Sequence, residues 1–118
     1  MQYKNLCLDF VIELGQLGTT QKIITAFENV PKDVICYFTC QIVEALAYLQ
    51  TKTIIHCDVK PENIFLMSDF QLKLGDFGSA RKIDDQFITQ YSNSKPYLNG
   101  TIEYMSPASL SGKEVDYS

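Results

Sequence analysis

The spacing of apolar residues predicts two helices in the first half of the chain. Between Asp33 and Leu49, apolar side chains recur every three or four positions, as on a helix that buries one face. These positions are Val34, Phe38, Ile42, Ala45 or Leu46, and Leu49. Asp33 suits the N-cap of this helix, because its carboxylate can accept a hydrogen bond from a free backbone N–H. A shorter helix is expected over residues 19–27, with Ile23, Ile24 and Phe27 on one side, ending before Pro31.

Short apolar runs predict the strands. The segment Leu6–Leu14 is rich in Leu, Val, Ile and Phe and predicts a buried strand. Three shorter strands are expected at Ile54–Ile55, Ile64–Leu66 and Leu72–Leu74, and Ser68-Asp69 marks the turn between the last two. The polar, aperiodic segment from Arg81 to Asn99 predicts a mobile loop. Helices and strands together indicate a mixed α+β domain.

Composition narrows the class of protein. Apolar residues make up 46% and charged residues 20% of the chain, as in ordinary globular proteins. Ten Lys and Arg stand against fourteen Asp and Glu, and this net charge of −4 argues against a nucleic acid partner. No long uninterrupted apolar run predicts a membrane span, and no signal peptide is recognisable at the N-terminus. A cytoplasmic location is therefore expected.

The four cysteines predict reduced thiols. They are Cys7, Cys36, Cys40 and Cys57. Disulfides belong mainly to secreted proteins, and no feature of this chain indicates secretion. Cys36, Cys40 and His56 lack the tight paired spacing of a structural zinc site.

The most informative segment is the polar run from His56 to Asn63. It presents Asp58, Lys60 and Asn63, and Asp76 follows thirteen positions after Asn63. A carboxylate can take a proton from an attacking hydroxyl, and a lysine can neutralise a phosphate. Amide and carboxylate oxygens are the ligands that Mg²⁺ takes. This set of groups suits magnesium-dependent phosphoryl transfer.

The order H-x-D-x-K-x-x-N followed by D-F-G resembles the catalytic and metal-binding loops of eukaryotic protein kinases. Residues 100–107, Gly-Thr-Ile-Glu-Tyr-Met-Ser-Pro, resemble the end of the kinase activation segment. The residues from Tyr37 to Leu49, with the run Lys60-Pro61-Glu62-Asn63, are similar to the 3-phosphoinositide-dependent kinases of the serine/threonine-specific AGC group. The resemblance covers nearly the whole chain.

The resemblance implies roles for five polar residues. Asp58 would be the catalytic base, and Lys60 would lie beside the transferring phosphate. Thr101 would hydrogen-bond to both residues and shape the acceptor site. Asn63 and Asp76 would hold Mg²⁺ between the phosphates of ATP. A serine or threonine of a protein substrate would receive the phosphate.

The resemblance also implies where the adenine of ATP binds. Backbone groups near Glu13 and Gly15, in the hinge, would meet the adenine edge, and Phe65 would form the floor of this subsite where an aliphatic residue is usual. His56 would be structural, packing near Phe77 and bonding to the backbone.

The implied fold is a partial protein kinase-like α+β fold, with the hinge strand and the first half of the helical large lobe. Residues 1–118 would supply the hinge, catalytic loop, metal-binding loop and activation segment. The six glycines form no G-x-G-x-x-G, and no V-A-I-K lysine is present, so the glycine-rich loop and the C-terminal part are expected outside this chain. The chain alone is then expected to be inactive. A pseudokinase, a binding module and an inactive truncated gene product remain alternatives, and a lipid-binding domain outside residues 1–118 is compatible with the resemblance.

Three positions depart from the kinase pattern. Cys57 replaces an arginine that normally pairs with a phosphate on the activation loop, Ala108 replaces a glutamate, and Thr19 replaces an acid near the ribose. Arg81 is then a candidate cation for a loop phosphate, either as its binding site or as a solvated charge. Candidate acceptors of that phosphate are Ser92, Ser94 and Tyr97.

Overall fold

The computed structural model describes residues 11–83 and 100–110. The helices are α1 (Thr20–Ala26), α2 (Lys32–Thr51) and α3 (Pro107–Leu110), and the strands are β1 (Ile54–Ile55), β2 (Ile64–Leu66), β3 (Leu72–Leu74) and β4 (Arg81–Lys82). Short 3-10 turns cover Pro61–Asn63, Phe77–Ser79 and Ile102–Tyr104. The mixture of helices and antiparallel strand pairs is the α+β class predicted from the sequence.

Helix α2 confirms the long predicted helix but begins one residue before Asp33. Its N-cap is Pro31, with φ −55° and ψ 139°. The prediction of Asp33 as N-cap is therefore wrong, because the fixed φ of proline places the helix start immediately after it. Asp33 lies in the first turn, where its negative charge still favours the positive end of the helix dipole.

One face of α2 packs on strands β1 and β3. Phe38, Ile42 and Leu46 are partly buried on this face and Leu49 is buried, as the apolar repeat predicts. Val34 is 36% exposed and contributes little to this face. By length and composition alone α2 is apolar enough to cross a membrane, but core helices of globular proteins pass the same test, so this is weak evidence.

Strands β2 and β3 form an antiparallel hairpin, with Phe65 opposite Lys73. The predicted turn at Ser68-Asp69 is present, and Met67 N donates to Gln71 O at 2.9 Å. The Asp69 side chain stabilises the turn by accepting a bond from Gln71 N at 3.1 Å. The buried apolar side chains of the described residues centre on this hairpin and α2: they are Leu49, Ile64, Leu66 and Met67.

Strand β4 corrects the prediction that a loop begins at Arg81. Arg81 and Lys82 pair antiparallel with β1, with Ile55 opposite Arg81. A strand of two residues is too short to show periodicity, so the pairing depends on tertiary structure. The remainder of the predicted loop, residues 84–99, lies outside the described residues.

The segment 11–14 corrects a second prediction. It forms no strand, and Val11 and Ile12 are 98% and 85% exposed, so the predicted buried strand is wrong for these four residues. An apolar run becomes a strand only where a neighbour accepts its backbone hydrogen bonds, and none is recorded for this segment among the described residues. Residues 6–10 lie outside the described part.

Helix α1 confirms the short predicted helix, with Thr19 as N-cap and Phe27 as C-cap. Of its predicted apolar face, Ile23 is partly buried while Ile24 and Phe27 are exposed. The Thr20 hydroxyl donates to the carbonyl oxygen of Pro61 at 2.9 Å. This bond ties α1 to the polar loop between β1 and β2.

Candidate active site

The loop between β1 and β2 owes its path to two backbone features. Cys57 has φ 65°, in the left-handed region that non-glycine residues seldom occupy. Pro61 then opens a 3-10 turn that ends at Asn63, and Asn63 N donates to Lys60 O at 2.9 Å. The reversal at Cys57 and this turn bring the three polar side chains of the loop together. Strained residues of this kind concentrate at functional sites.

Asp58 is the centre of the cluster. Its Oδ1 accepts hydrogen bonds from the backbone N and the Oγ1 of Thr101, both at 2.8 Å. Thr101 is 43 positions away, so these bonds join the segment after Gly100 to the loop. The expected contact between Asp58 and Thr101 is present.

Lys60 completes a triangle with these two residues. Its Nζ lies 2.9 Å from Asp58 Oδ2 and donates to Thr101 Oγ1 at 2.6 Å. The threonine hydroxyl therefore accepts from the lysine and donates to the aspartate. The three side chains hold one another in a fixed geometry.

The side chain of Asn63 stabilises the loop by hydrogen bonds to Asp58. Its Nδ2 donates to the backbone oxygen of Asp58 at 2.9 Å and to Asp58 Oδ2 at 3.1 Å. The residue is buried, with 5% of its surface exposed. Because the amide nitrogen faces Asp58, the amide oxygen is the atom left to bind a ligand.

The electrostatics keep Asp58 ionised. Burial raises the pKa of Asp58, but hydrogen bonds from Lys60 and Thr101, with the charge of Lys60, outweigh it and lower the pKa from 3.8 to about 2. The hydrogen bond to Asp58 raises the pKa of Lys60, and the negative charges of Glu62 and Asp76 add to this. Asp58 and Lys60 therefore form an ion pair over a wide pH range.

His56 links the loop to the segment after β3. Its Nε2 lies 3.0 Å from the carbonyl oxygen of Gly75, and Asp58 N donates to its Nδ1 at 3.3 Å. A carbonyl oxygen can only accept, so the two bonds assign the proton to Nε2. The ring meets Phe77 edge-on at a centroid distance of 5.0 Å. The expected structural role of His56 is confirmed.

The β2–β3 hairpin places Asp76 near the cluster of Asp58, Lys60 and Asn63. Gly75 N donates to Asn63 O at 2.8 Å, which extends the ladder and brings Asp76 to the same end as Asn63. The backbone at Asp76 is left-handed, with φ 57°, and its Oδ1 accepts from Gly78 N at 3.2 Å. Its negative charge contributes to the raised pKa of Lys60.

The donor set suits Mg²⁺ in chemical type. Asn63 offers an amide oxygen and Asp76 an exposed carboxylate, and both are hard oxygen ligands. The described residues contain no cluster of three or more His, Cys, Asp or Glu side chains. Mg²⁺ is usually bound by one or two protein oxygens together with phosphate oxygens and water, so two such ligands are a set of ordinary size.

The residues predicted for adenine lie around the ring of Phe65 on β2. The main chain at Gly15 packs against the ring of Phe65, and Gly15 O accepts from Gly18 N at 3.1 Å. The side chain of Glu13 pairs with Lys73 on β3 at 2.6 Å. This exposed ion pair links residue 13 to strand β3 and is expected to add little stability.

Cys57 and Arg81 are neighbours in the structure. Burial raises the pKa of the Cys57 thiol, and the positive charge of Arg81 opposes that rise. Arg81 is thus within electrostatic reach of the position where the kinase pattern has an arginine. The role of Arg81 toward a loop phosphate stays a prediction, because Ser92, Ser94 and Tyr97 lie outside the described residues.

Two glycines that shape the site, Gly75 and Gly100, are not among the residues predicted for it from the sequence. Gly75 bonds to both Asn63 and His56, and Gly100, with φ 115°, brings Thr101 to the loop. A Cβ at Gly100 would collide with the carbonyl oxygen of Cys57. Their adjacency to Asp76 and Thr101 was the available signal, since a glycine beside a functional residue often marks close backbone approach.

Comparison with known proteins agrees with this geometry. The family model described as the protein kinase domain matches residues 1–118. The chain is 34% identical to the serine/threonine-protein kinase PKH2 of Saccharomyces cerevisiae, over 93% of the chain and 11% of that protein. It is 36% identical to the interferon-induced, double-stranded RNA-activated protein kinase of Mus musculus, over 98% of the chain and 22% of that protein.

The resemblance to the phosphoinositide-dependent kinases is also confirmed. The chain is 35% identical to human 3-phosphoinositide-dependent protein kinase 1, over 92% of the chain and 19% of that protein. It thus spans less than a quarter of the length of each of these three relatives. The match of the family model over the whole chain and the Asp58 cluster lead to one conclusion: the chain belongs to the protein kinase domain family.

Proposed function

We propose that this chain is part of a serine/threonine protein kinase that transfers the terminal phosphate of ATP to a protein serine or threonine. The hydrogen-bonded triangle of Asp58, Lys60 and Thr101 carries the proposal. Phosphoryl transfer needs positioned charge more than covalent chemistry, and this triangle fixes an anion beside a cation.

Asp58 is the proposed catalytic base. The lowered pKa of Asp58 keeps it ionised at neutral pH, so it can accept a hydrogen bond from the substrate hydroxyl and orient it. It would take the proton only as the hydroxyl oxygen bonds to phosphorus and becomes acidic. Lys60 would offer its ammonium to the transferring phosphate, and Thr101 would fix both side chains. Asn63 and Asp76 would hold magnesium, which supplies positive charge to the phosphates when bound.

The remaining roles concern ATP and the protein context. Backbone groups near Glu13 and Gly15 would meet the adenine edge, and Phe65 would form the floor beneath it. Residues 1–118 would be the hinge, catalytic loop, metal-binding loop and activation segment of a larger kinase domain, inactive on their own. The proposed enzyme is an AGC-type kinase in the cytoplasm. Its substrate would be a protein, and it would have no nucleic acid partner. Helix α2 would be a core helix of the large lobe.

A pseudokinase or binding module is the second candidate. Such a protein would bind ATP without transferring its phosphate. Cys57 stands where the resemblance has the cation that pairs with an activation-loop phosphate, which bears on control by phosphorylation and removes no catalytic residue. The retained Asp58, Lys60, Asn63 and Asp76 therefore favour the kinase over this candidate.

Phosphate transfer by the parent separates the two candidates, and substitution of Asp76 tests the magnesium assignment. In the intact kinase domain that carries residues 1–118, we expect Asp76→Ala to lower magnesium-dependent transfer from ATP by about 100-fold or more. Asp69→Ala is the matched control, because Asp69 stabilises only the hairpin turn; its activity should stay within about twofold of the parent. Equal activity of Asp76→Ala and the parent would refute the magnesium assignment, and ATP binding without transfer by the parent would favour the binding module.

A further inference from the structure

The ring of Phe65 is held between two glycines. A Cβ built on Gly15 would lie 2.8 Å from its Cδ1, and one built on Gly75 would lie 2.7 Å from its Cε2. Cδ1 and Cε2 are opposite corners of the ring. Both distances are shorter than carbon atoms tolerate without displacement. The aromatic ring therefore fits only because neither flanking residue has a side chain.

Backbone conformation does not explain these two glycines. The glycines with positive φ among the described residues are Gly18 at 85° and Gly100 at 115°. Gly15 and Gly75 are outside that region, so alanine could adopt their backbone conformations. The space taken by Phe65 is the physical reason that remains.

Gly75 is also hydrogen-bonded to residues of the candidate active site. Its N–H donates to Asn63 O at 2.8 Å, and its carbonyl oxygen accepts from His56 Nε2 at 3.0 Å. Asp76 is the next residue. A side chain at position 75 must displace either the Phe65 ring or this hydrogen-bonded backbone, and with it Asp76.

We propose that Phe65 is a positioning residue: its ring occupies the space that a side chain at position 75 would need, and so packing on the adenine side of the site affects the backbone that carries the candidate magnesium ligands Asn63 and Asp76. The expected effect on nucleotide binding rests on the proposed function. The steric conflict between Phe65 and a side chain at position 75 does not. Residue 75 is glycine because residue 65 is aromatic, so substitutions at the two positions have strongly non-additive effects.

The sign of the effect depends on the residue at position 65. With Phe65 present, Gly75→Ala is an overpacking substitution and weakens the hairpin. With Phe65→Ala, the nearest remaining neighbour of the new Cβ is Asn63 O at 3.9 Å, which is an ordinary contact. Gly75→Ala then becomes neutral or stabilising, because alanine restricts the unfolded chain.

Amide hydrogen exchange by NMR tests the steric part on the intact kinase domain that carries residues 1–118. The readout is protection of the residue 75 amide, whose acceptor is Asn63 O. We expect Gly75→Ala to lower protection about tenfold or more with Phe65 present, and by less than about twofold with Phe65→Ala. Phe65→Leu, which lacks Cε2 but keeps a packed side chain, should give an intermediate value and serves if Phe65→Ala does not fold. Phe27→Leu, at an exposed aromatic residue, is the control and should leave the effect of Gly75→Ala unchanged.

Equal effects of Gly75→Ala in the Phe65 and substituted backgrounds would overturn the proposal. So would an unprotected Gly75 amide in the parent domain, because the hairpin would then not hold the ring. Binding of ADP with Mg²⁺ by the intact kinase domain tests the consequence: Gly75→Ala should weaken it about threefold or more, and added Phe65→Leu should restore part of the loss. If the parent binds no ADP, the proposed function and the nucleotide consequence both fail, while the exchange cycle still decides the steric coupling.

Discussion

Gly100 is the residue whose replacement should disturb the site without removing a functional group. Its φ of 115° disfavours any side chain, and a Cβ would collide with the carbonyl oxygen of Cys57, beside Asp58. We expect Gly100→Ala to lower the free energy of unfolding by about 1–3 kcal/mol and kcat by about tenfold or more. Urea unfolding and steady-state kinetics of the intact kinase domain measure the two effects.

Gly18→Ala is the matched control for this substitution. Gly18 also has a positive φ, 85°, but a Cβ there meets only the flexible side chain of Lys22. This variant should lose stability from backbone strain while kcat stays within about twofold. A normal kcat for Gly100→Ala would contradict the close approach between Gly100 and the catalytic loop.

The ion pair of Asp58 predicts a pH dependence of stability. The folded-state pKa of about 2 lies below the ordinary 3.8, so this carboxylate contributes stability that is fully present above pH 3.8. The contribution is lost as the pH falls from about 3.8 through about 2, where the folded-state group takes up its proton. The stability difference between the parent and Asp58→Asn, measured by urea unfolding, should narrow over this range. A difference that is constant from pH 5 to pH 2 would contradict the lowered pKa.

Sequence identified the reacting groups at the residue scale because their order is specific. Asp58, Lys60, Asn63 and Thr101 are brought together as expected, while their catalytic roles remain predictions. The glycines that shape the site could not be assigned in the same way. Phe65 lies on β2 and Gly75 follows β3, so no pattern of neighbouring residues predicts their close approach.

The side chain of Gln41 makes a polar link between helix α2 and the β2–β3 hairpin. Gln41 lies on the packed face of α2, and its Oε1 accepts from Leu72 N at 2.8 Å. Its Nε2 is buried and has no partner among the described residues. The amide oxygen of Gln41 thus accepts the hydrogen bond of Leu72 N, while the amide nitrogen of Gln41 is left without an acceptor among the described residues.

We expect Gln41→Leu to lower the free energy of unfolding by about 1–3 kcal/mol, because Leu72 N loses its acceptor. Gln50→Leu, on an exposed position of the same helix, should change it by less than about 0.5 kcal/mol. Denaturant unfolding of the intact kinase domain compares the two variants. Equal stability of Gln41→Leu and the parent would show that the bond contributes nothing net.

A helix whose apolar face repeats over many residues was predicted well. Strands that exist only through pairing with a distant strand were not. The 20 residues of α2 repeat an apolar face several times, so its existence and packed face follow from the sequence. Strand β4 has two residues and exists through pairing with β1. The segment 11–14 is as apolar as a strand, yet no strand forms there in the described structure. Pairing partners lie far apart in sequence, and apolar composition alone does not specify them.

The small core of the described residues predicts marginal stability for the 118-residue chain. Four apolar side chains are buried in the described part, whereas Ile35, Tyr37, Val43 and Tyr48 of α2 are more than half exposed. Conformational entropy then outweighs much of the gain from burial. We expect a broad thermal transition by circular dichroism and binding of a hydrophobic dye before heating. A sharp cooperative transition without dye binding would contradict this expectation.

Family membership was recoverable at the scale of the molecule because the catalytic motifs are ordered along nearly the whole chain. The family model and the relatives confirm that inference. The motifs do not specify how much of the apolar surface of α2 is exposed, since burial depends on every segment that packs against this helix. The proposed extent of the domain likewise stays a prediction.

Transfer of labelled phosphate from ATP to protein serine or threonine is the most direct test of the proposed function. The intact kinase domain that carries residues 1–118 should show transfer, and Asp58→Asn should lower kcat by about 100-fold to 10,000-fold while ATP affinity stays within about threefold. This outcome follows if Asp58 acts on the acceptor hydroxyl and not on the nucleotide. Transfer by Asp58→Asn at the parent's rate would contradict the assignment of Asp58 as catalytic base.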